Sequence, residues 1–166
     1  MKRRQRGTTL LEFVLTGIPA IFITLSVFEV SLTMWQYHTM AETVQVAARY
    51  VVTHGESCSQ NGNSCSITVA NIATSMESTG VGLNPANLNV SLIGSQNTVT
   101  CNPITSCLNN STVFPEGTDG AVGNDIQVTA SYPMNNPFAI FWPGAANVSA
   151  PTNASLGANS IQRIMF

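Results

Sequence analysis

Between Phe13 and Phe28 the chain carries no charged side chain, and the apolar stretch around that core runs from Leu10 to Met34 with only Glu12 and Glu29 at its edges. Few folds accommodate such a run. As a helix, at 1.5 Å per residue, Leu10–Met34 would be about 37 Å long, enough to cross a hydrocarbon core of roughly 30 Å. Pro19 lies inside it. In water that proline would argue against a helix, but a membrane helix tolerates one as a kink. Trp35 and Tyr37 follow directly, where amphipathic aromatics belong at a lipid–water boundary.

Charge orients the segment. Lys2, Arg3, Arg4 and Arg6 are four of the six basic residues; only Arg49 and Arg163 come later. The positive-inside rule then puts the N-terminus in the cytoplasm and the body outside. Beyond Gly7 the chain holds two basic and eight acidic side chains, a formal charge of −6. An acidic body without a basic face excludes a nucleic-acid-binding reading. Charged residues make up 8% of the chain, far below the roughly 25% of soluble domains. Ser, Thr and Asn fill the gap and give a polar, uncharged surface. A cleaved secretory signal would explain the basic start and the apolar run. It does not explain Glu12, and no small-x-small cleavage site follows the apolar core.

The first thirteen residues read MKRRQRG-TTLLEF. Basic residues, Gly7 before Thr8, the apolar Leu10 and Leu11, and Glu12 five residues after the glycine resemble a prepilin leader and its cleavage point. Phe13 directly after Glu12 narrows the resemblance to tight-adherence (Flp-type) pilins and their TadE-like pseudopilins. Pro19, the late Glu29, and Ala47-Ala48-Arg49-Tyr50 are similar to TadE-like chains, and so, loosely, are the closing stretches DIQVTASYP and SIQRIMF. The likeness covers residues 1–54 well; residues 55–123 match no named pattern. Thr8, where many type IV pilins carry Phe or Met, moves the resemblance away from type II secretion pseudopilins, although Leu10-Leu11-Glu12 also echoes those.

The resemblance implies a leader over 1–7, a transmembrane helix over 8–35 and an exported pilin-like domain over 36–166. It implies a bacterial inner-membrane, single-pass protein that is cut between Gly7 and Thr8 by a prepilin peptidase. It then meets other pilin or pseudopilin subunits and the inner-membrane pilus assembly platform. The function implied is that of a minor pilin or pseudopilin in assembly, priming or tip structure of the pilus. The alternatives are a membrane-anchored exported binding domain that does not polymerise, or a type II secretion-like minor pseudopilin. Glu12 makes physical sense in the first role. A carboxylate in an apolar helix needs a partner, the amine freed on Thr8 of a neighbour would supply one, and such pairs set register.

The expected fold is α+β: a long N-terminal transmembrane helix continuing into the domain, a short second helix and a small antiparallel sheet. Tyr37, Met40, Val44, Ala47, Ala48 and Val51 recur at three- and four-residue intervals, so the first helix should run on to about Thr53 and stop at Gly55. A second helix is expected over Ile67–Ser78, capped by Ser66 and ended by Gly80. Alternation marks strands around Leu88-Val90-Leu92 and Ile126-Val128-Ala130, with further strands at Val99–Cys101 and Ile161–Phe166. Asn102–Gly123 reads as a long loop, and Pro133–Gly144, with Phe138, Phe141 and Trp142, as a proline-bounded aromatic loop.

Cys58, Cys65, Cys101 and Cys107 all follow the apolar run, and their even number favours disulfides in an oxidising compartment. Four cysteines allow three connectivities. Loop-closure entropy favours the local scheme, Cys58–Cys65 with Cys101–Cys107; crossed schemes would tie the helical half to the strand half. The C-x6-C and C-x5-C spacings suit no zinc site, and His38 and His54 fit no ligand pattern. Asp119 and Asp125 bracket Gly120 and Gly123, but their spacing fits no EF-hand and reads as turn chemistry. No nucleophile motif or phosphate loop is present, so neither an enzyme, a cofactor nor a metal is expected.

Overall fold

The structure, a computed structural model, describes residues 6–54, 65, 67–133 and 155–165. The chain divides into two units, Met1–Trp35 and Gln36–Phe166.

Helix α1 spans Arg6–Val52, 47 residues, with Pro19 inside it. In the first unit its apolar side chains are exposed, Leu10 at 68% and Phe13 at 75% among them. This is the helix long and apolar enough to cross a membrane. Its hydroxyls are satisfied internally: Thr16, Thr24, Ser26 and Ser31 each donate to the carbonyl four residues back, at 2.7–2.8 Å. That local bond lets a polar side chain sit in lipid without an orphaned donor.

In the second unit the amphipathic stripe of α1 is a core face. Met40, Val44, Ala47, Ala48 and Val51 are buried. Tyr37, expected on that stripe, is instead exposed, as an interfacial aromatic would be. The helix closes through local bonds. The Thr53 hydroxyl donates to Tyr50 O at 2.9 Å, and His54 Nδ1 lies 2.6 Å from the same carbonyl, which puts its proton on Nδ1. Gly55, the expected stop, lies outside the described residues.

Helix α2 spans Val69–Thr79 and begins at Thr68, two residues later than the sequence suggests; Ser66, the expected cap, lies outside the described residues. Thr68 is the cap because it is extended and bridges to Val113, while Ile67 O accepts from Phe114 N–H at 3.1 Å. Helix N-termini leave several N–H groups unpaired. Here Val69 N–H donates to Thr112 O, Ala70 N–H to Asn110 O, and Asn71 N–H to the Thr68 hydroxyl. The segment around Asn110 and Thr112 thus closes the start of α2. Gly80 is the C-cap, as expected, and its N–H donates to Met76 O.

Four strands follow: β1 Asn89–Ile93, β2 Thr98–Cys101, β3 Asp125–Pro133 and β4 Ser155–Arg163. They form one antiparallel sheet of order β2-β1-β3-β4. The register places Val90 opposite Cys101 and Ala130, Leu92 opposite Val99 and Val128, and Val128 opposite Ser160. One face therefore carries Val90, Leu92, Ile126, Val128, Ala130 and Tyr132, all buried with the inward faces of the two helices in a single core. The α+β expectation holds. The last strand begins at Ser155 rather than Ile161, and Ile164, past its end, is fully buried and bonded to Asn124 O.

Residues 102–123 are not an open loop. They contain 3-10 turns at Ile104–Cys107 and Gly117–Gly120, and Ile104, Cys107, Phe114 and Asp119 are buried. The aromatic stretch with Phe138, Phe141 and Trp142 lies outside the described residues.

Candidate functional site

The residues singled out at the N-terminus lie on one continuous helix. Gly7 and Thr8 fall in the first turn of α1. Glu12 and Phe13 follow, both exposed, with Leu10 and Leu11 exposed beside them. The Glu12 carbonyl accepts the Thr16 hydroxyl at 2.8 Å; among the described residues its carboxylate has no ion-pair partner. The first turn of α1 carries no acid. Glu12 therefore sits past the turn where the helix dipole acts most strongly, and the dipole alone does not compensate its charge. The exposed carboxylate is bordered by the exposed Leu10, Leu11 and Phe13.

Residues 7–49 match the family model of TadE-like proteins. Over this stretch the chain is similar to TadE-like proteins. The match spans the exposed apolar helix, Glu12 and Phe13, and the inward stripe up to Ala48 and Arg49. Neither a curated protein nor a solved structure matches the chain.

Two features stabilise the second unit. Cys101 and Cys107 form a disulfide, which ties β2 to the 3-10 turn that follows it. Cys65 is also disulfide-bonded; Cys58 lies outside the described residues. The other feature is Asp119, which has no sequence signature. Its carboxylate is buried and accepts from Ser95 Oγ at 2.7 Å, Gln96 N–H at 2.7 Å and Asn97 N–H at 2.9 Å. These donors are the turn between β1 and β2, so one carboxylate fixes a hairpin twenty-odd residues away in sequence. Burial pushes the Asp119 carboxyl up, but the bonds from Ser95, Gln96 and Asn97 outweigh it and hold the pKa below the usual value of 3.8.

Asp125 does not share a site with Asp119. It faces Arg163 across β3 and β4, with Nε 2.8 Å from Oδ1. The hydrogen bond from Arg163 holds the Asp125 carboxyl below its usual value. Among the described residues no group of three or more His, Cys, Asp and Glu side chains could hold a metal ion. An open hollow lined by His54, Cys65, Pro115, Glu116 and Thr118 has no nucleophile–base pair: Cys65 is oxidised and His54 Nδ1 is committed to Tyr50 O.

Proposed function

We propose that the chain is a minor pilin or pseudopilin of a tight-adherence pilus, matured by a prepilin peptidase between Gly7 and Thr8. On this reading residues 1–7 are the leader, 8–35 the membrane span, and 36–166 the exported domain, with the N-terminus in the cytoplasm before cleavage. The observation that carries the reading is Glu12: a carboxylate without an ion-pair partner among the described residues, on an exposed apolar helix, inside the TadE-like match. After cleavage Thr8 presents a new ammonium group, and Glu12 of one subunit meets the amine of its neighbour. In lipid, either charge alone is expensive, so the pair forms only when subunits associate. The inner-membrane assembly platform is the partner that would collect such subunits.

The test is N-terminal sequencing of protein extracted from the membrane of its native host. The sequence should start at Thr8, and Gly7→Leu should leave the leader in place. A mature chain that starts at Met1, or anywhere beyond Thr8, would overturn the proposal.

A further inference from the structure

The two edges of the sheet are built differently. At one edge β2 has four residues, and its last, Cys101, is tied by a disulfide to the turn that follows. At the other edge β4 pairs with β3 through nine consecutive residues and has no second neighbour among the described residues. An edge strand presents unpaired N–H and C=O groups, which proteins guard with short length, proline, bulges or charge. β4 reads SLGANSIQR, unbroken and without proline. Its one charge, Arg163, stands at its end and is paired with Asp125.

Ile164 shows which backbone groups are free. Its N–H donates to Asn124 O and its C=O accepts from Gly123 N–H, so both point toward β3. These directions alternate along a strand. Ser160 and Gln162 therefore also face β3, while Gly157, Asn159 and Ile161 turn their N–H and C=O to the open side. The side chains of these three lie on the sheet face away from the core. Ile161 is 57% exposed there. At Gly157, four residues earlier, a Cβ would meet nothing within 4 Å.

We propose that two copies of the chain pair antiparallel along β4, about a two-fold axis at Asn159, so that the sheet runs on from one copy into the other. In this register Asn159 opposes Asn159, Ser155 opposes Arg163, and Ile161 of each copy lies over Gly157 of the other. All nine residues of the strand are used. The two Arg163 side chains fall about 27 Å apart at 3.4 Å per residue, whereas parallel pairing in register would set them side by side. A second copy is the occupant because one sequence supplies both halves of the fit, the bulky Ile161 and the space at Gly157. A strand from a different chain would need the same large and small residues at the same spacing. The contact is isologous and closes at two copies. It uses the sheet edge alone and does not depend on leader cleavage.

The test uses full-length chains in detergent, unlabelled and 15N-labelled, mixed and mildly oxidised. Opposed residues at a hydrogen-bonded site have Cα atoms about 5.5 Å apart, within disulfide range. Asn159→Cys should therefore give a mixed-label disulfide joining position 159 of two chains. Ser155→Cys should give none, because its copies are about 27 Å apart. Sedimentation equilibrium supplies the second reading. Gly157→Ile overpacks the contact and should weaken the dimer about tenfold or more, with the melting temperature of the monomer unchanged. Adding Ile161→Gly swaps the large and small partners and should restore the dimer, which it could not do for a foreign strand. A monomer at every concentration, a disulfide at position 155 as readily as at 159, or a double swap that stays as weak as Gly157→Ile would each overturn the contact.

Discussion

Asp119 packs so closely on Gly94 that a Cβ at position 94 would fall 2.7 Å from the Asp119 carboxyl carbon. The carboxylate has no freedom to move aside, because three donors from Ser95, Gln96 and Asn97 hold it. Gly94 is needed here for space. Gly94→Ala should therefore destabilise the second unit by about 1–3 kcal/mol, the usual range for overpacking. Thermal unfolding of the full chain in detergent checks this. A melting temperature equal to that of the wild type would show that the clasp gives way.

The same carboxylate makes acid stability depend on one residue. Its folded pKa lies below the ordinary 3.8. A depressed folded pKa contributes stability that is present above the unfolded value and lost as pH falls through the folded one. Wild-type protein should hold its melting temperature down to about pH 4 and lose it progressively below, the range in which an ordinary Asp takes up its proton. Asp119→Asn should be less stable at neutral pH by about 1–3 kcal/mol, since the amide leaves backbone donors under-satisfied. Its stability should also fall less steeply below pH 4 than that of the wild type. Asp125 is depressed in the same direction by Arg163, but the pair is exposed and screened, so removing it leaves most of the acid response in place.

Cys101 and Cys107 close a short loop between β2 and the following 3-10 turn. Opening it by the double substitution to Ser should lower stability by about 2 kcal/mol on the loop-entropy scale. Alkylation of freshly isolated protein should leave both cysteines unmodified until a reductant is added, and peptide mass mapping reads that directly. Free thiols at either position in native protein would contradict the bond and an oxidising location.

Those three predictions concern parts of the molecule that differ in how openly the sequence announces them. The first helix was plain, because an uninterrupted apolar run and then the Met40-Val44-Ala47-Ala48-Val51 stripe leave no competing period. Strands β1 and β3 were equally plain from Val90-Leu92 and Ile126-Val128-Ala130. The extent of β4 was not. Its inward row is Leu156, Ala158, Ser160 and Gln162, too polar to alternate visibly, while Ile161 points to the opposite face and is exposed. Phe114 was hidden among turn formers, although it is among the largest fully buried side chains. The start of α2 is not legible in the sequence because Thr68 owes its role partly to a bridge with Val113, far along the chain. Asp119 was hidden for a similar reason: two of its three donors are backbone N–H groups, which leave no mark in a sequence. At the N-terminus the motif residues are legible, but among the described residues Glu12 has no ion-pair partner that would display its role.

The decisive test of the proposed pairing between subunits is Glu12→Gln. The substitution keeps shape and hydrogen-bonding capacity and removes the charge. Membrane insertion should be unchanged, because a neutral amide is cheaper in lipid than a carboxylate. Leader cleavage should change little, because the cut lies at Gly7, five residues away. Assembly is where the loss should appear. Removing one member of a desolvated ion pair leaves the other charge uncompensated and costs about 3 kcal/mol or more, roughly a hundredfold in binding. Co-purification of the mutant with its filament partners from detergent extracts should fall accordingly. An anchored exported domain that never polymerises would show no such defect. Recovery of partners at wild-type levels would therefore overturn the pilin-type role of Glu12 and leave the membrane-spanning reading of α1 intact.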